Sequence, residues 1–242
     1  METRVHEIAD RVYRLSTYVP DVAPPDGFTF NQFLIDADEP LLFHCGHRAM
    51  FPAISTALAS IISLKKLRWL SFSHFEADEC GGVNQWLAAA PQTQIVHGEV
   101  GCDVSLNDFA DRAPRALADG DTLDLGGRRV RLIATPHVPH GWDAIMLHEE
   151  KTGVLLCSDL VGQVGDGPAL GGEDIVEAAL AAESAFQSVS VTPAFAPTLN
   201  RLADLAPKTL AIMHGSSFSG DCARVLRTFA AGLEAQVNPR RL

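Results

Sequence analysis

The order of apolar runs and turn signals predicts a mixed α/β fold built in layers. Two observations predict it. A first group of strands is joined by crossover helices, and a second group of strands ends in helices. A third, the absence of a Pro/Gly/Ser-rich linker anywhere in the 242 residues, predicts one domain over 1–242.

The elements follow in order. An opening strand leads into the Pro/Gly cluster PDVAPPDG (20–27), which reads as a loop. FTFNQFLI (28–35) alternates and is rich in aromatics, so it reads as a strand. LLFHCG (41–46) is a short strand ending in Gly. Residues 50–63 carry helical spacing, and LRWLSFS (67–73) is a compact apolar run, a buried strand. After HFEADECGG a helix is expected over 83–90, and TQIVHG (93–98) is another short strand. DGDTLDLGG (119–127) is hairpin chemistry, and RRVRLIATP (128–136) is a strand feeding the loop HVPHGWD. AIMLHEE and VLLCSD, joined by Lys151-Thr152-Gly153, form a hairpin. Helices are expected at 174–189, near 197–205 and over 220–235, with TLAIM (209–213) a strand between the last two.

Composition bounds the function. The chain is 47% hydrophobic and 20% charged, which excludes collagen-like, disordered and disulfide-scaffold classes. Thirty acids against nineteen Lys and Arg give a formal charge of −11, which argues against a nucleic-acid or anionic-membrane binder. The five cysteines are odd in number and lack CxxC spacing. That disfavours both a disulfide framework and a structural zinc knuckle, and points to a reducing cytoplasm. The first fifteen residues carry charges throughout and have no apolar core of a signal peptide. No run approaches the roughly 18 apolar residues of a membrane helix.

The chemistry concentrates at His74-Phe75-Glu76-Ala77-Asp78-Glu79. Ligand-type residues at i, i+2 and i+4 after an apolar strand share one side if the segment stays extended. Three more strands end in such residues: RLIATP before His137 and His140, VLLCS before Asp159, and TLAIM before His214. Open α/β sheets gather their ligands at the carboxyl ends of strands, so these four ends point to one metal site. Imidazole with hard carboxylate oxygen suits iron or manganese, and zinc accepts the same set. His6, His44, His47, His97 and His148 read as packing, capping or solvated histidines, and Cys80 as a small buried residue. Trp142 reads either as a wall of the site or as core.

These residues resemble the metallo-β-lactamase superfamily, whose fold is a four-layer αβ/βα sandwich around a binuclear metal site. DGDTLDLGG followed by a strand and TPHVPHG is similar to that superfamily's approach to its third ligand histidine. Hydrolases of the superfamily typically show HxHxDH, whereas His74-x-Glu76-x-Asp78 resembles the di-iron domain of flavodiiron proteins. FTFNQFLI, His140-Gly-Trp-Asp143, LLCSDLVGQ and TPAFAPTLNRL before IMHG agree with it. The resemblance implies that His74, Glu76 and His140 bind one metal, Asp78 and His214 a second, and Asp159 bridges them. The family pattern has His where this chain has Glu79, which either replaces that imidazole or faces away. His137 is the rival of His140. Eighteen residues between His140 and Asp159, and Asp143 three residues on, favour His140.

The resemblance implies two metal ions, Fe first with Zn or Mn as alternatives, binding or reducing O2 or NO. Flavodiiron enzymes draw electrons from FMN in a flavodoxin-like domain fused after this one. The chain ends one helix after His214, so the expectation is a stand-alone di-iron domain that needs a separate electron-donor protein and retains at most a homodimer. The alternative is a hydrolase of the superfamily that uses a metal-bridging hydroxide on a lactam, thioester or phosphodiester.

Overall fold

A computed structural model of the chain describes residues 1–172 and 174–237. Two seven-stranded sheets face each other. The first is ordered β1 (Thr3–Ala9), β2 (Val12–Val19), β3 (Phe28–Ile35), β4 (Leu41–Phe43), β5 (Trp69–Ser71), β6 (Gln94–Gly98), β7 (Arg115–Leu117). Strands β1 to β4 are antiparallel, and β4 to β7 run parallel. The parallel steps are bridged by α1 (Phe51–Ala59), by α2 (Ala77–Cys80) with α3 (Val83–Ala89), and by short helical turns including α4 (Glu99–Gly101) and α5 (Asn107–Phe109). The second sheet contains β8 (Thr122–Asp124), β9 (Arg129–Ala134), β10 (Ile145–Glu149), β11 (Val154–Leu156), β12 (Leu170–Gly171), β13 (Thr209–Ala211) and β14 (Ser217–Ser219). Its order is β12-β14-β13-β11-β10-β9-β8. Helices α6 (Val176–Phe186), α7 (Phe195–Asp204) and α8 (Cys222–Val237) cover its outer face.

The period of two along each strand builds the layers. Phe33, Ile35, Leu41, Phe43 and Trp69 meet Leu132, Ile145, Leu147 and Leu156 between the sheets. Their neighbours Leu34, Leu42 and Leu70 turn the other way, onto Ile54 and Trp86 beneath α1 and α3. In the second sheet Ile133, Met146 and Leu155 turn outward onto Phe195, Leu226 and Phe229 of α7 and α8. Each fully buried Leu or Phe of these layers contributes about 1.5–3 kcal/mol. The result is the expected four-layer αβ/βα sandwich of the metallo-β-lactamase fold.

Several expectations needed revision. The single opening strand is a hairpin, β1 paired with β2, because Arg11 adopts a left-handed φ of 53° in a turn that has no Gly, Pro or Asn. Strands β7, β12 and β14 carry no local signal, since they are two or three residues long and are defined by their partners. The segment after β5 does not stay extended: it bends through 73–75 and closes into α2, so Asp78 and Glu79 sit on a helical turn. All five cysteines are buried and unbonded to one another. No helix among the described residues is long and apolar enough to cross a membrane.

Candidate metal centre

The carboxyl ends of β5, β9, β11 and β13 converge at one rim of the sandwich. The loop after β5 supplies His74 and Glu76, and α2 supplies Asp78. The loop after β9 supplies His140, the turn after β11 supplies Asp159, and the segment after β13 supplies His214. Two glycines make the approach possible. Gly141 has φ +77°, and a Cβ there would stand 3.1 Å from His74 Cβ, so a side chain would push the His140 loop off His74. Gly215 has φ +89°, and a Cβ there would meet Gln163 Cβ at 2.8 Å.

Ligand atoms of His74, Glu76, His140 and Asp159 all lie within 4.8 Å of one another. Glu76 Oε2 is 3.0 Å from His74 Nε2 and 2.8 Å from His140 Nε2. Asp159 Oδ2 is 3.5 Å from His74 Nε2 and 3.8 Å from His140 Nε2. The other oxygen of Asp159, Oδ1, is 3.2 Å from His214 Nε2, and Asp78 Oδ2 is 3.4 Å from the same nitrogen. One carboxylate thus presents one oxygen to the His74–His140 pair and the other to His214.

This donor set fits metal ions. Metal–nitrogen and metal–oxygen bonds of about 2.0–2.2 Å place neighbouring ligand atoms roughly 3–3.5 Å apart, close to the spacings seen. Asp159 Oδ1 is buried without a hydrogen-bond partner. The imidazoles are aimed from behind. The Thr29 carbonyl can only accept, so at 2.8 Å it fixes the hydrogen on His214 Nδ1 and leaves Nε2 facing Asp78 and Asp159. Phe28 stacks on the same ring with centroids 4.2 Å apart. Asp143 Oδ2 accepts the Phe75 N–H at 3.0 Å and pins the loop between His74 and Glu76.

The electrostatics match. Burial alone would lower His74, but the charges of Glu79, Glu76 and Asp159 outweigh it and push its pKa up to about 10. Burial likewise opposes protonation of His214, yet Asp159 and Asp78 raise it to about 10. The hydrogen bond to His140, then that to His74, holds the Glu76 carboxyl well below the usual carboxylate range. Burial would raise Asp159, and the pairing with His214 lowers it.

Glu79 does not join this cluster. It is fully buried, and its Oε2 accepts from Ser73 N–H at 2.7 Å and lies 2.6 Å from His44 Nδ1, while Oε1 accepts from Ser158 Oγ. Its Oε1 also lies 3.7 Å from His74 Nδ1, on the side of the ring away from Glu76. The physical reason is the helical turn, on which successive side chains diverge by about 100°. Asp78 then faces the rim and Glu79 the interior. His137 is exposed, has φ 66° and is not among the gathered ligand atoms. Cys80 is buried beside the Glu76 carbonyl, and burial pushes its thiol up to about 12, leaving little thiolate for metal binding. His97 is buried against Phe72, as a packing residue. His148 is half-buried rather than solvated. Trp142 is 60% exposed and lines a separate hollow near Val100 and Pro136, so it neither walls the site nor fills the core.

His44, read from the sequence as packing, capping or solvated, and Ser158, which the sequence does not single out, both hold Glu79. Both have left-handed backbones, φ 69° and 54°, and both present their side chains to Glu79. Such conformations persist where the surroundings over-determine them. The available signal was position: His44 ends β4, a fifth strand whose carboxyl end carries a ligand-type residue. Over the cluster lies a cavity of about 290 Å³ walled by Val22, Ala23, Phe28 and Phe186, with Glu183 and Gln163 at its sides.

A family model described as "ODP family beta lactamase" matches residues 28–215. Putative diflavin flavoprotein A 1 of Nostoc sp. (strain PCC 7120 / SAG 25.82 / UTEX 2576) is 30% identical over 140 residues, covering 57% of this chain and 24% of that protein. The rubredoxin-oxygen oxidoreductase of Megalodesulfovibrio gigas is 26% identical over 141 residues, covering 57% and 35%. The anaerobic nitric oxide reductase flavorubredoxin of Pectobacterium carotovorum is 24% identical over 140 residues, covering 57% and 28%. The matched region thus spans about a quarter to a third of the length of these relatives. Among solved structures, the Flv1 flavodiiron core from Synechocystis sp. PCC6803 superposes with a TM-score of 0.83 at 22% identity, covering 98% of this chain and 62% of that one. Fragment 1–254 of putative diflavin flavoprotein A 5 from Nostoc sp. PCC 7120 gives 0.84 at 19% identity, covering 100% and 99%. At these identities the structural likeness establishes the fold.

Proposed function

The chain belongs to the ODP beta-lactamase family, and from that premise we propose that it is a binuclear, di-iron protein that binds or reduces O2 or NO with electrons from a redox donor. The observation that carries the reading is Asp159, whose two oxygens address the His74–His140 pair and His214 separately. His74, Glu76, His140 and Asp159 would hold one metal, and Asp78, His214 and Asp159 the other. Glu76 takes the place where the superfamily's hydrolases have an imidazole, which favours the redox reading over hydrolysis. An iron pair supplies open coordination positions and the electron-transfer chemistry that O2 and NO require.

The chain's own residues prepare that chemistry. Thr29 and Phe28 hold His214 in one orientation. The Glu79 carboxylate faces His74 Nδ1 and favours a hydrogen there, which leaves Nε2 for the metal. Val22, Ala23, Phe28 and Phe186 line the approach to the cluster with apolar surface, which suits a small apolar gas. The relatives whose names specify oxygen or nitric oxide as substrate support this ligand class.

The test is anaerobic purification, metal counting, addition of ferrous iron and exposure to O2. Two irons per chain and a visible absorption band on oxygenation are expected. Two zincs with lactam or thioester turnover, and no optical response to O2, would reverse the conclusion in favour of hydrolysis.

A further inference from the structure

We propose that the two metal positions of this chain are unequal: a strong one at His74, Glu76 and His140, and a weak one at Asp78 and His214. A chain carrying a single metal is then a stable, first-loaded state. The inference rests on the metal-binding reading above and adds an order of loading to it.

The ground is a count of donors at each position. The first has three side chains of its own, plus Asp159 Oδ2, gathered within 4.8 Å. The second has only His214 and Asp78, plus Asp159 Oδ1. Glu79 is the adjacent residue with the chemistry to add a donor, and its oxygens are spent on His44, Ser73 and Ser158. Swinging it toward His214 would strand the Ser73 N–H and the Ser158 hydroxyl in a fully buried space, at the desolvation cost of each. Glu183, which also lines the cavity, accepts from Ser188 Oγ and from Val189 N–H. Gln163 offers at most a neutral amide, with its nitrogen donating to the Val161 carbonyl.

The second position is therefore completed by water rather than protein. Partners that merely orient a ligand carry about 10–100-fold in metal affinity, and a missing donor weakens the site by at least about tenfold. Glu79 in turn strengthens the first position, because its carboxylate faces His74 Nδ1. The same residue thus withholds a donor from one metal and orients a donor for the other.

The test is an anaerobic titration of the metal-free full chain with Co2+ alone, in competition with a chelator of known affinity. The expected result is one tight equivalent and a second weaker by at least about tenfold. His214→Ala keeps the tight equivalent and loses the weak one, and His140→Ala loses the tight one. Two equivalents of equal affinity overturn the inequality while leaving the metal reading intact, as does a His214→Ala protein that loses the tight equivalent. A wild-type chain that takes up no cobalt overturns both. Circular dichroism of each metal-free variant reports its folding, and the wild-type titration decides the inequality without either variant.

Discussion

Removing the Glu79 carboxylate tests whether it is an interior anchor, and the structure sets the size of the effect. Glu79 is 0% exposed and receives three donors: the Ser73 N–H, the Ser158 hydroxyl and His44 Nδ1. Glu79→Ala leaves all three buried without an acceptor. At about 1–3 kcal/mol for each stranded donor, the substitution costs on the order of 5 kcal/mol. That is a third or more of the roughly 5–15 kcal/mol that holds an ordinary domain together. His44 and Ser158 also lose the partner that secures their left-handed backbones, which adds to the loss rather than offsetting it. Asp78→Ala is the matched control. Its carboxylate lies 3.4 Å from His214, which keeps Asp159 at 3.2 Å, so its removal strands no donor and costs less than the loss of Glu79. The assay is urea unfolding in chelator, with unchanged m-values as the condition for comparing midpoints. Similar small losses for both substitutions would refute the anchor argument, because Glu79 would then lie on the rim with Asp78.

Three further outcomes follow from the geometry. Asp159→Ala removes the carboxylate that serves both metal positions, so elemental analysis should find at least one metal lost per chain; full retention of two would contradict the bridge. Gly141→Ala forces a side chain onto a φ of +77° and against His74 Cβ, so the metal-free protein should lose more than about 1 kcal/mol and bind its first metal more weakly, whereas His137→Ala should change neither. Stability of the metal-free chain should depend on pH through His74 and His214, both raised to about 10 by their carboxylates. A raised folded-state value means that their contribution is complete below the ordinary histidine value of about 6.5 and is lost as pH climbs toward 10. Metal uptake runs the opposite way, since the imidazoles must shed those protons before they ligate. Unfolding midpoints in chelator that rise from pH 7 to 10 would contradict this assignment.

Much of the centre was legible because its residues lie in short local patterns. His74, Glu76 and Asp78 stand in one hexapeptide, and His140, Asp159 and His214 each follow an apolar strand, where an α/β sheet exposes its ligands. The spacing from His140 to Asp159 favoured His140 over His137, and the structure brings His140 to Glu76. What the sequence concealed was direction. Read as extended, the segment from His74 would align its ligands on one side. The turn into α2 instead swings Glu79 inward, where its carboxylate meets the nearby Ser73 N–H and the distant Ser158 and His44. His44 was set aside for the same reason: its role depends on a partner 35 residues away.

The sequence alone therefore determined the alternation that sorts Phe33 and Leu34 to opposite faces, the succession of strands and helices apart from the β1–β2 hairpin and the shortest strands, and the set of residues able to bind metal. Those are properties of periodicity and residue chemistry, which act over a few positions. The tertiary structure alone decided which donors meet, which oxygen of Asp159 faces which imidazole, and that Glu79 supports the site from within. These depend on where the ends of four separate strands come to rest, and on which buried donors must find an acceptor once water has left. No local window of the chain carries that information.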